Sequence, residues 1–541
     1  MPPGFVWLVG AGPGDPGLLT VRAVECLRQA DLVLYDRLVA PALLGHARAS
    51  ARRVCVDELA SAHPDRWPLV NRMMVEAAKS GRRVVRLKGG DPMIFGRGGE
   101  EAEVLRAAGV DYEIVPGITA ALGAASCAGI SLTHRDHASA VCIVTGHESP
   151  GKPDSRIDWP ALARFPGTLV FYMGIARLEV IAAALVGAGK AADTPAAVVQ
   201  QATTPGQRVV SAPLADLPAA ARTAGIEAPA LLFIGEVVAL RERIDWFSRR
   251  PLFGKTVLVT RPAHQADDMV RRIEVLGGRA VCLPAVTLAE PADWAPVDAA
   301  IGRLAETGWV VFTSVNGVHA FIGRLRKCGR DLRALGGVRL AAIGPATAEA
   351  LRGYHLEPDV VPEEYNSEGL AAALRERVRG TRVLLARADR GIDLLRDELS
   401  AVAEVEQVAV YSQRDAVLEE HPEALAALRA GAIDYVTLTS SNIARVIGSA
   451  LTGGVRGVKP ALVCISPRTS AAVRELGLPV AAEATEYTTA GVLDAVCRLS
   501  AQVAEGVQRE VEHDAAHDDA EDVHQEAAPA EGNPEDRVEQ E

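Results

Sequence analysis

The sequence predicts an α/β protein, and three observations carry that prediction. From Phe5 to Phe247, short apolar runs alternate with helical patterns and Gly/Pro turns, as strands joined by crossover helices do. Beyond residue 254 a second α/β region echoes itself: WVVFTSVNGV (309–318) is followed by LAAIGPATAEAL (340–351), and YVTLTSSNIA (435–444) by ALVCISPRTSAAV (461–473). Each copy reads strand, Thr-Ser loop, helix, strand, small-Pro turn, helix. That pattern implies two similar lobes with a ligand between them; the general likeness of α/β strands to one another is the plainer account. From 501 onward there is no Phe, Trp, Tyr, Leu or Ile, so this tail cannot bury enough apolar area to offset ordering and is expected to be disordered.

Element by element, Phe5 to Val9 reads as a strand, Thr20 as the cap of a helix whose apolar face uses Val21, Val24 and Leu27, and Leu32 to Tyr35 as the next strand. Arg83 to Leu87 is a strand, GGDP a loop, and Gly99 to Ala108 a helix. Further strands are expected at Ala140 to Val144, Thr168 to Tyr172, Ala196 to Val199 and Ala230 to Ile234. Ser248 to Gly254 carries Arg, Pro and Gly without periodicity, and KTVLVTRP then starts a fresh strand. The linker is therefore set at 248–253, between domains at 1–247 and 254–500.

Charge narrows the function. The 541 residues sum to -12, but 501–541 alone hold 14 acidic groups against Arg509 and Arg537. Taking these from 69 acidic and 57 basic residues leaves 55 of each, so the body is neutral and its tail is not. A globally basic surface for nucleic acid is excluded. No run approaches about 18 apolar residues, and the start MPPGFVWLVG lacks signal-peptide regions, so a soluble, cytoplasmic protein without a membrane partner is expected. Eight cysteines lie far apart with no CxxC pair or His/Cys cluster, and no metal site is expected.

The loop GAGPGDPGLLT (10–20) joins the first strand to the first helix, where missing side chains let a ligand approach the backbone. A dinucleotide reading fails at Asp15, where the third glycine of GxGxxG belongs. The loop has company: YDRLV (35–39), VVRLKGGDPMIFGRGGEE (84–101), VPGITAA (115–121), LTHRD (132–136), TGH (145–147) and FYMG (171–174) follow in order. Together these motifs resemble the uroporphyrinogen-III C-methyltransferases of the tetrapyrrole methylase family over essentially all of 1–247. The resemblance implies a two-lobed class III methyltransferase with S-adenosylmethionine in its cleft, lined by Pro13, Gly89, Gly90, Asp91, Ile94, Thr119, Ala120, Met173 and Ala202. It also implies Asp36 as the catalytic base and a homodimer through this domain. Five positions depart from the family pattern, among them Asp57 and Leu59 in place of a Gly and an Arg. VDELASAH (56–63) keeps His63 but puts Glu58 where the family has a proposed proton-donating Lys, Ser131 replaces a usual Pro, and Ala202 a usual Gly. A carboxylate in place of an ammonium changes how an anionic substrate's protons are handled.

VLVTRP (257–262), VVFTSVNGV (310–318), AAIGPATAEAL (341–351), VLLARADRG (383–391), VAVYSQR (408–414), TLTSSN (437–442) and ISPRTSAAVRELG (465–477) resemble the uroporphyrinogen-III synthase family. That resemblance implies an outer lobe of 254–287 plus 413–500 and an inner lobe of 288–410, closing linear hydroxymethylbilane into a ring with its last pyrrole inverted. Tyr411 is the group implied to hydrogen-bond the departing hydroxyl. Thr313, Ser314, Asn316, Thr439, Ser440 and Ser441 are expected to hold carboxylate arms or to cap helices, and Arg261 and Arg387 to grip carboxylates. The chain thus reads as a bifunctional enzyme making precorrin-2 for sirohaem or cobalamin. The alternative is a synthase whose first domain binds S-adenosylmethionine or tetrapyrrole without methylating.

Overall fold

The computed structural model describes residues 4–59, 66–147, 157–391, 393–452 and 459–505. His63 and most of the acidic tail lie outside them. The chain divides into two compact units, Met1–Lys255 with Glu274–Arg279 and Thr256–Ile273 with Ala280–Glu541.

The first unit holds two sheets. One contains β1 (Phe5–Gly10), β2 (Leu32–Tyr35), β3 (Arg52–Cys55), β4 (Arg83–Lys88) and β5 (Tyr112–Val115), all parallel in the order β3-β2-β4-β1-β5. The other contains β6 (Val141–Thr145), β7 (Thr168–Tyr172), β8 (Pro195–Gln200), β9 (Arg208–Pro213) and β10 (Ala230–Ile234), in the order β6-β7-β10-β8-β9. Only β6 and β7 run parallel there. Every strand expected from the sequence is present within a residue or two. The short β3, β5 and β9 were not foreseen, because charged or exposed residues interrupt their apolar pattern.

Thr20 caps its helix, its hydroxyl accepting from Ala23 N at 3.2 Å. The apolar face differs from expectation. Ala23, Cys26 and Leu27 are buried, while Val21 is 78% exposed. A one-residue rotation of the stripe places small side chains against the sheet, where close approach gains more than a terminal Val does.

The second unit also holds two sheets. Its strands are β11 (Thr256–Val259), β12 (Arg279–Cys282), β13 (Val286–Ala289), β14 (Trp309–Phe312), β15 (Arg339–Ala342), β16 (Arg382–Ala388), β17 (Glu404–Asp415), β18 (Tyr435–Leu438), β19 (Ala461–Cys464) and β20 (Ala482–Glu483). The orders are β12-β11-β18-β19-β20 and β13-β17-β16-β14-β15. The echo in the sequence is a register-level repeat. Val257, Leu258 and Val259 pair with Tyr435, Val436 and Thr437 just as Val383, Leu384 and Leu385 pair with Trp309, Val310 and Val311. Arg261 therefore occupies the position of Arg387, Thr439 that of Thr313, Ser440 that of Ser314, and Asn442 that of Asn316.

One helix runs over 489–505. Residues 501–505 thus depart from the expected disorder, because Val492, Leu493, Ala495 and Val496 anchor the preceding turns in the core and elongating a nucleated helix is cheap.

Candidate active sites

In the first unit, three backbone loops meet with almost no side chain between them. Gly12 N donates to Gly90 O at 3.2 Å and Gly90 N to Gly12 O at 2.8 Å, with both glycines at positive φ. A Cβ on Gly10 would sit 2.5 Å from Gly117 Cα. Asp91 pins the cluster, its two oxygens accepting from Met93 N at 2.7 Å and Gly117 N at 2.9 Å. Pro13 packs where a Cβ on Gly123 would fall, 2.5 Å from its Cγ. Asp15 N donates to Thr203 Oγ1 at 3.0 Å, which draws the loop against the turn holding Ala202. Thr119 Oγ1 lies 2.5 Å from Tyr172 OH, which also accepts from Ala121 N at 2.7 Å and so fixes Ala120 between them. Burial pushes the Tyr172 phenol up. Phe95 packs on that ring at 5.2 Å, and its neighbour Ile94 and the residue after Tyr172, Met173, are left exposed. Gly89 lies against Leu38, on the loop after Asp36, with its Cβ position 3.7 Å from the Leu38 Cβ.

Asp36 follows β2. Its Oδ1 accepts from Arg86 Nη2 at 2.5 Å, so its partner is not the adjacent Arg37, whose backbone N donates instead to Asp57 Oδ2 at 2.8 Å. Arg86 continues through Nε to Glu101 Oε1 at 3.1 Å, and Glu101 receives Lys88 Nζ at 2.8 and 2.9 Å. Burial, with Arg86 beside it, pulls the Lys88 ammonium down against the opposing pull of Glu101. Glu58 lies on the helix Val56–Leu59, and its charge, after burial and Cys55, helps to raise the Tyr35 phenol. The sequence reading missed Arg86, Lys88, Glu101 and Tyr172. The available signal was two charges two residues apart in VVRLK, hence on one face of a central strand.

In the second unit, Tyr411 is 6% exposed, and its hydroxyl lies 3.0 Å from Ser314 Oγ. Ser314 also caps the helix Val315–Lys327, accepting from Gly317 N at 3.0 Å. Ser440 caps the equivalent helix through Ile443 N at 3.3 Å, while Ser441 donates to Arg468 O at 3.3 Å. Thr313 and Thr439 stand half-buried in the same two loops. Asn316 Oδ1 accepts from Gln265 Nε2 at 2.7 Å and lies 3.1 Å from His264 Nε2. Gln265 in turn accepts from Arg261 Nη2 at 3.3 Å, and Arg261 Nη1 donates to Thr489 Oγ1 at 2.6 Å. Both partners of Arg261 are neutral, and burial pulls its guanidinium down. Arg387, 8% exposed, donates to Gln407 Oε1 and to Arg390 O, each at 3.4 Å. Neutral groups at the carboxyl ends of the parallel strands thus meet Arg261, whose hydrogen bonds to Thr489 and Gln265 both go to uncharged oxygens, an arrangement suited to anions.

Among the described residues no His, Cys, Asp and Glu gather as a metal site, and no helix is long and apolar enough to cross a membrane.

A parallel and a mixed sheet joined by glycine-lined loops, followed by duplicated lobes, define a tetrapyrrole methylase fused to a uroporphyrinogen-III synthase. Residues 6–218 match the family Tetrapyrrole (Corrin/Porphyrin) Methylases, and 267–494 match Uroporphyrinogen-III synthase HemD. The porphyrin biosynthesis protein HemD of Ruminiclostridium josui is 35% identical over 486 residues, covering 88% of this chain and 94% of that one. The chain belongs to that family, and it is a uroporphyrinogen-III C-methyltransferase and a uroporphyrinogen-III synthase in one polypeptide. The siroheme synthase of Pseudomonas fluorescens (strain SBW25) is 53% identical over 245 residues, 45% of this chain, and the chain spans about half that relative's length (52%). Among solved structures, the uroporphyrin-III-C-methyltransferase of Thermus thermophilus is 40% identical, covering 44% of this chain and 96% of its own, with a TM-score of 0.37.

Proposed function

We propose that the second domain (254–500, with lobes 254–287 plus 413–500 and 288–410) closes hydroxymethylbilane to uroporphyrinogen III. The first domain (1–247) then methylates that product twice from S-adenosylmethionine, giving precorrin-2. The observation that carries the reading is Asp36, a carboxylate pinned at the end of β2 beside the side-chain-free loop at Gly89. For each methyl group, an electron-rich ring carbon supplies the pair for the new carbon–carbon bond. The carbon–sulfur pair stays on sulfur, and the ring sheds a proton that Asp36 accepts. Pro13, Gly89, Gly90, Asp91, Ile94, Thr119, Ala120, Met173 and Ala202 hold the donor, Asp91 by shaping the loops. In the synthase, Tyr411 donates a hydrogen bond to the leaving oxygen, and Arg261, Arg387 and the Thr-Ser loops hold the carboxylate arms while the intermediate turns its last ring. Glu58 replaces a cation next to this chemistry and alters its proton supply.

The chain pairs through its first domain, as the family resemblance implies, acts in the cytoplasm, and serves sirohaem or cobalamin formation. Hydroxymethylbilane supplied with methyl-labelled S-adenosylmethionine tests the whole reading. Two labelled methyl groups per ring-closed product are expected. Ring closure without label would assign the first domain to binding alone, which is the reading Glu58 favours.

A further inference from the structure

Strand β4 carries two charges on the face that packs against the helices Arg66–Lys79 and Gly98–Ala107. Arg86 and Lys88 are 0% and 1% exposed, and Glu101, which meets both, is 2% exposed. The three continue Asp36 inward as a line of alternating sign: Asp36 Oδ1 to Arg86 Nη2 at 2.5 Å, Arg86 Nε to Glu101 Oε1 at 3.1 Å, Glu101 to Lys88 Nζ at 2.8 Å. The remaining Arg86 nitrogen, Nη1, reaches the carbonyls of Leu34 and Leu87 at 3.4 and 3.3 Å. The Trp67 ring lies 6.0 Å from Arg86 Cζ and 5.7 Å from Lys88 Nζ, with Arg97 on it at 4.5 Å. Only the Asp36 end of the line opens outward, its side chain 27% exposed. Its Oδ2 has no partner among the described residues.

Stability alone does not explain such a line. Taking Arg86, Glu101 and Lys88 out of water costs several kcal/mol each before their attraction repays it, and apolar residues of similar volume commonly do as well. What the line does supply is direction. A guanidinium bonded at Nε, Nη1 and Nη2 cannot rotate, and a carboxylate held at 2.5 Å by such a fork cannot swing.

We infer that Arg86, backed by Glu101 and Lys88, is a positioning residue for methyl transfer: it engages one oxygen of Asp36 so that the other is presented in a single orientation to the ring proton. The inference rests on Asp36 serving as the base. Each member has a defined part. Glu101 neutralises Arg86 on its inner side, so the guanidinium does not draw Asp36 deeper. Lys88 offsets the second carboxyl charge, so the line is neutral overall. Among the described residues, Tyr35 and Arg37 beside Asp36, Arg53 and Cys55 on β3, and Asp57 and Glu58 on the neighbouring helix Val56–Leu59 are the other ionisable groups around it.

The full chain tests this through a double-mutant cycle on methyl transfer from labelled S-adenosylmethionine to uroporphyrinogen III, with donor binding and ring closure measured alongside. Arg86→Gln is expected to lower kcat by about 100-fold, the range in which misplacing a catalytic group falls, with KM for both substrates nearly unchanged. Arg86→Lys restores part of the loss, and Glu101→Gln costs about tenfold. In an Asp36→Asn background both substitutions cost nothing further, because they act through the group already lost. An equal loss in the Asp36→Asn background, or full activity of Arg86→Gln, overturns the inference. If Arg86→Gln no longer binds the donor, Glu101→Gln, which keeps its shape, decides by the same cycle. Full activity of Asp36→Asn itself overturns the base assignment, an outcome distinct from failure of the line behind a working base.

Discussion

The two units build their proposed reactive regions from opposite materials at the same place in the fold, the carboxyl end of parallel strands. Behind Asp36 stand a buried arginine, lysine and glutamate. Behind Tyr411 stand the helix-capping Ser314 and a neutral core. The difference follows from the chemistry. A methylated ring must lose a proton, which calls for a carboxylate held charged and still. Ring closure must release a hydroxyl and restrain a carboxylate-rich chain, which calls for neutral donors, with charge spent sparingly on Arg261 and Arg387. Charge is thus arranged in two ways: cancelled within a buried line behind Asp36 in one unit, and set on the loops beside Tyr411 in the other, where Arg390 pairs with Asp415.

Replacing the proposed base and the proposed hydrogen-bond donor breaks the comparison most sharply. Asp36→Asn should cut methyl transfer by about 10²- to 10⁴-fold, the usual worth of a positioned base, while ring closure by the same molecules continues. Tyr411→Phe should slow ring closure by less, about 10- to 100-fold, because a neutral donor among several is easier to replace. A larger loss for Tyr411→Phe, read from product formation on the full chain, would reverse the ranking. Stability should show the same asymmetry. Glu101→Leu strands two buried cations and should cost about 3–5 kcal/mol in denaturant unfolding of the first unit. Ser314→Ala removes one helix cap and should cost about 1 kcal/mol in the second.

The sequence made one of these materials far more legible than the other. Hydroxyl caps announce themselves: the Thr-Ser pairs at 313–314 and 439–440 precede helices in both copies, and the structure uses Ser314 and Ser440 as caps. The duplicated lobes were visible for the same reason, although pairing Arg261 with Arg387 required strand register. Buried charges do not announce themselves, because Arg86 and Lys88 look like any polar interruption of a strand until the helix bringing Glu101 is in place. The helix after Thr20 shows a related blindness: its start was legible from the cap, but its buried face depends on which small residues the sheet admits. The family motifs named Asp36, yet nothing in YDRLV said that its partner stood fifty residues on rather than at Arg37.

Charge spent singly should behave differently from charge spent in a line. Among the described residues Arg261 hydrogen-bonds Thr489 and Gln265, both neutral, so Arg261→Gln should raise the KM for hydroxymethylbilane about tenfold, the worth of one charge-assisted hydrogen bond. Added salt should weaken binding by the native chain more than by this variant, because a solvent-reached ion contact is screened. Equal salt dependence in both would show that the guanidinium does not meet a carboxylate.

The smallest expected effect is the pH dependence that Lys88 contributes. Its ammonium is pulled below the ordinary 10.5 by burial first and Arg86 second. Below the folded value both states carry the proton and pH changes nothing. Between the folded value and 10.5 the unfolded chain binds more protons, so the stability of the first unit should rise with pH across that window. Lys88→Met removes the proton in question and should flatten this rise in denaturant titrations taken at successive pH values. Tyr172, Tyr35 and the thiols of Cys26, Cys127 and Cys142 oppose it, because burial pushes each of them up and so withdraws stability above its ordinary pKa. Those groups are common to the native chain and Lys88→Met, so the difference between the two at each pH isolates Lys88. The same pH dependence in both would mean that Glu101 holds the Lys88 proton more firmly than burial expels it.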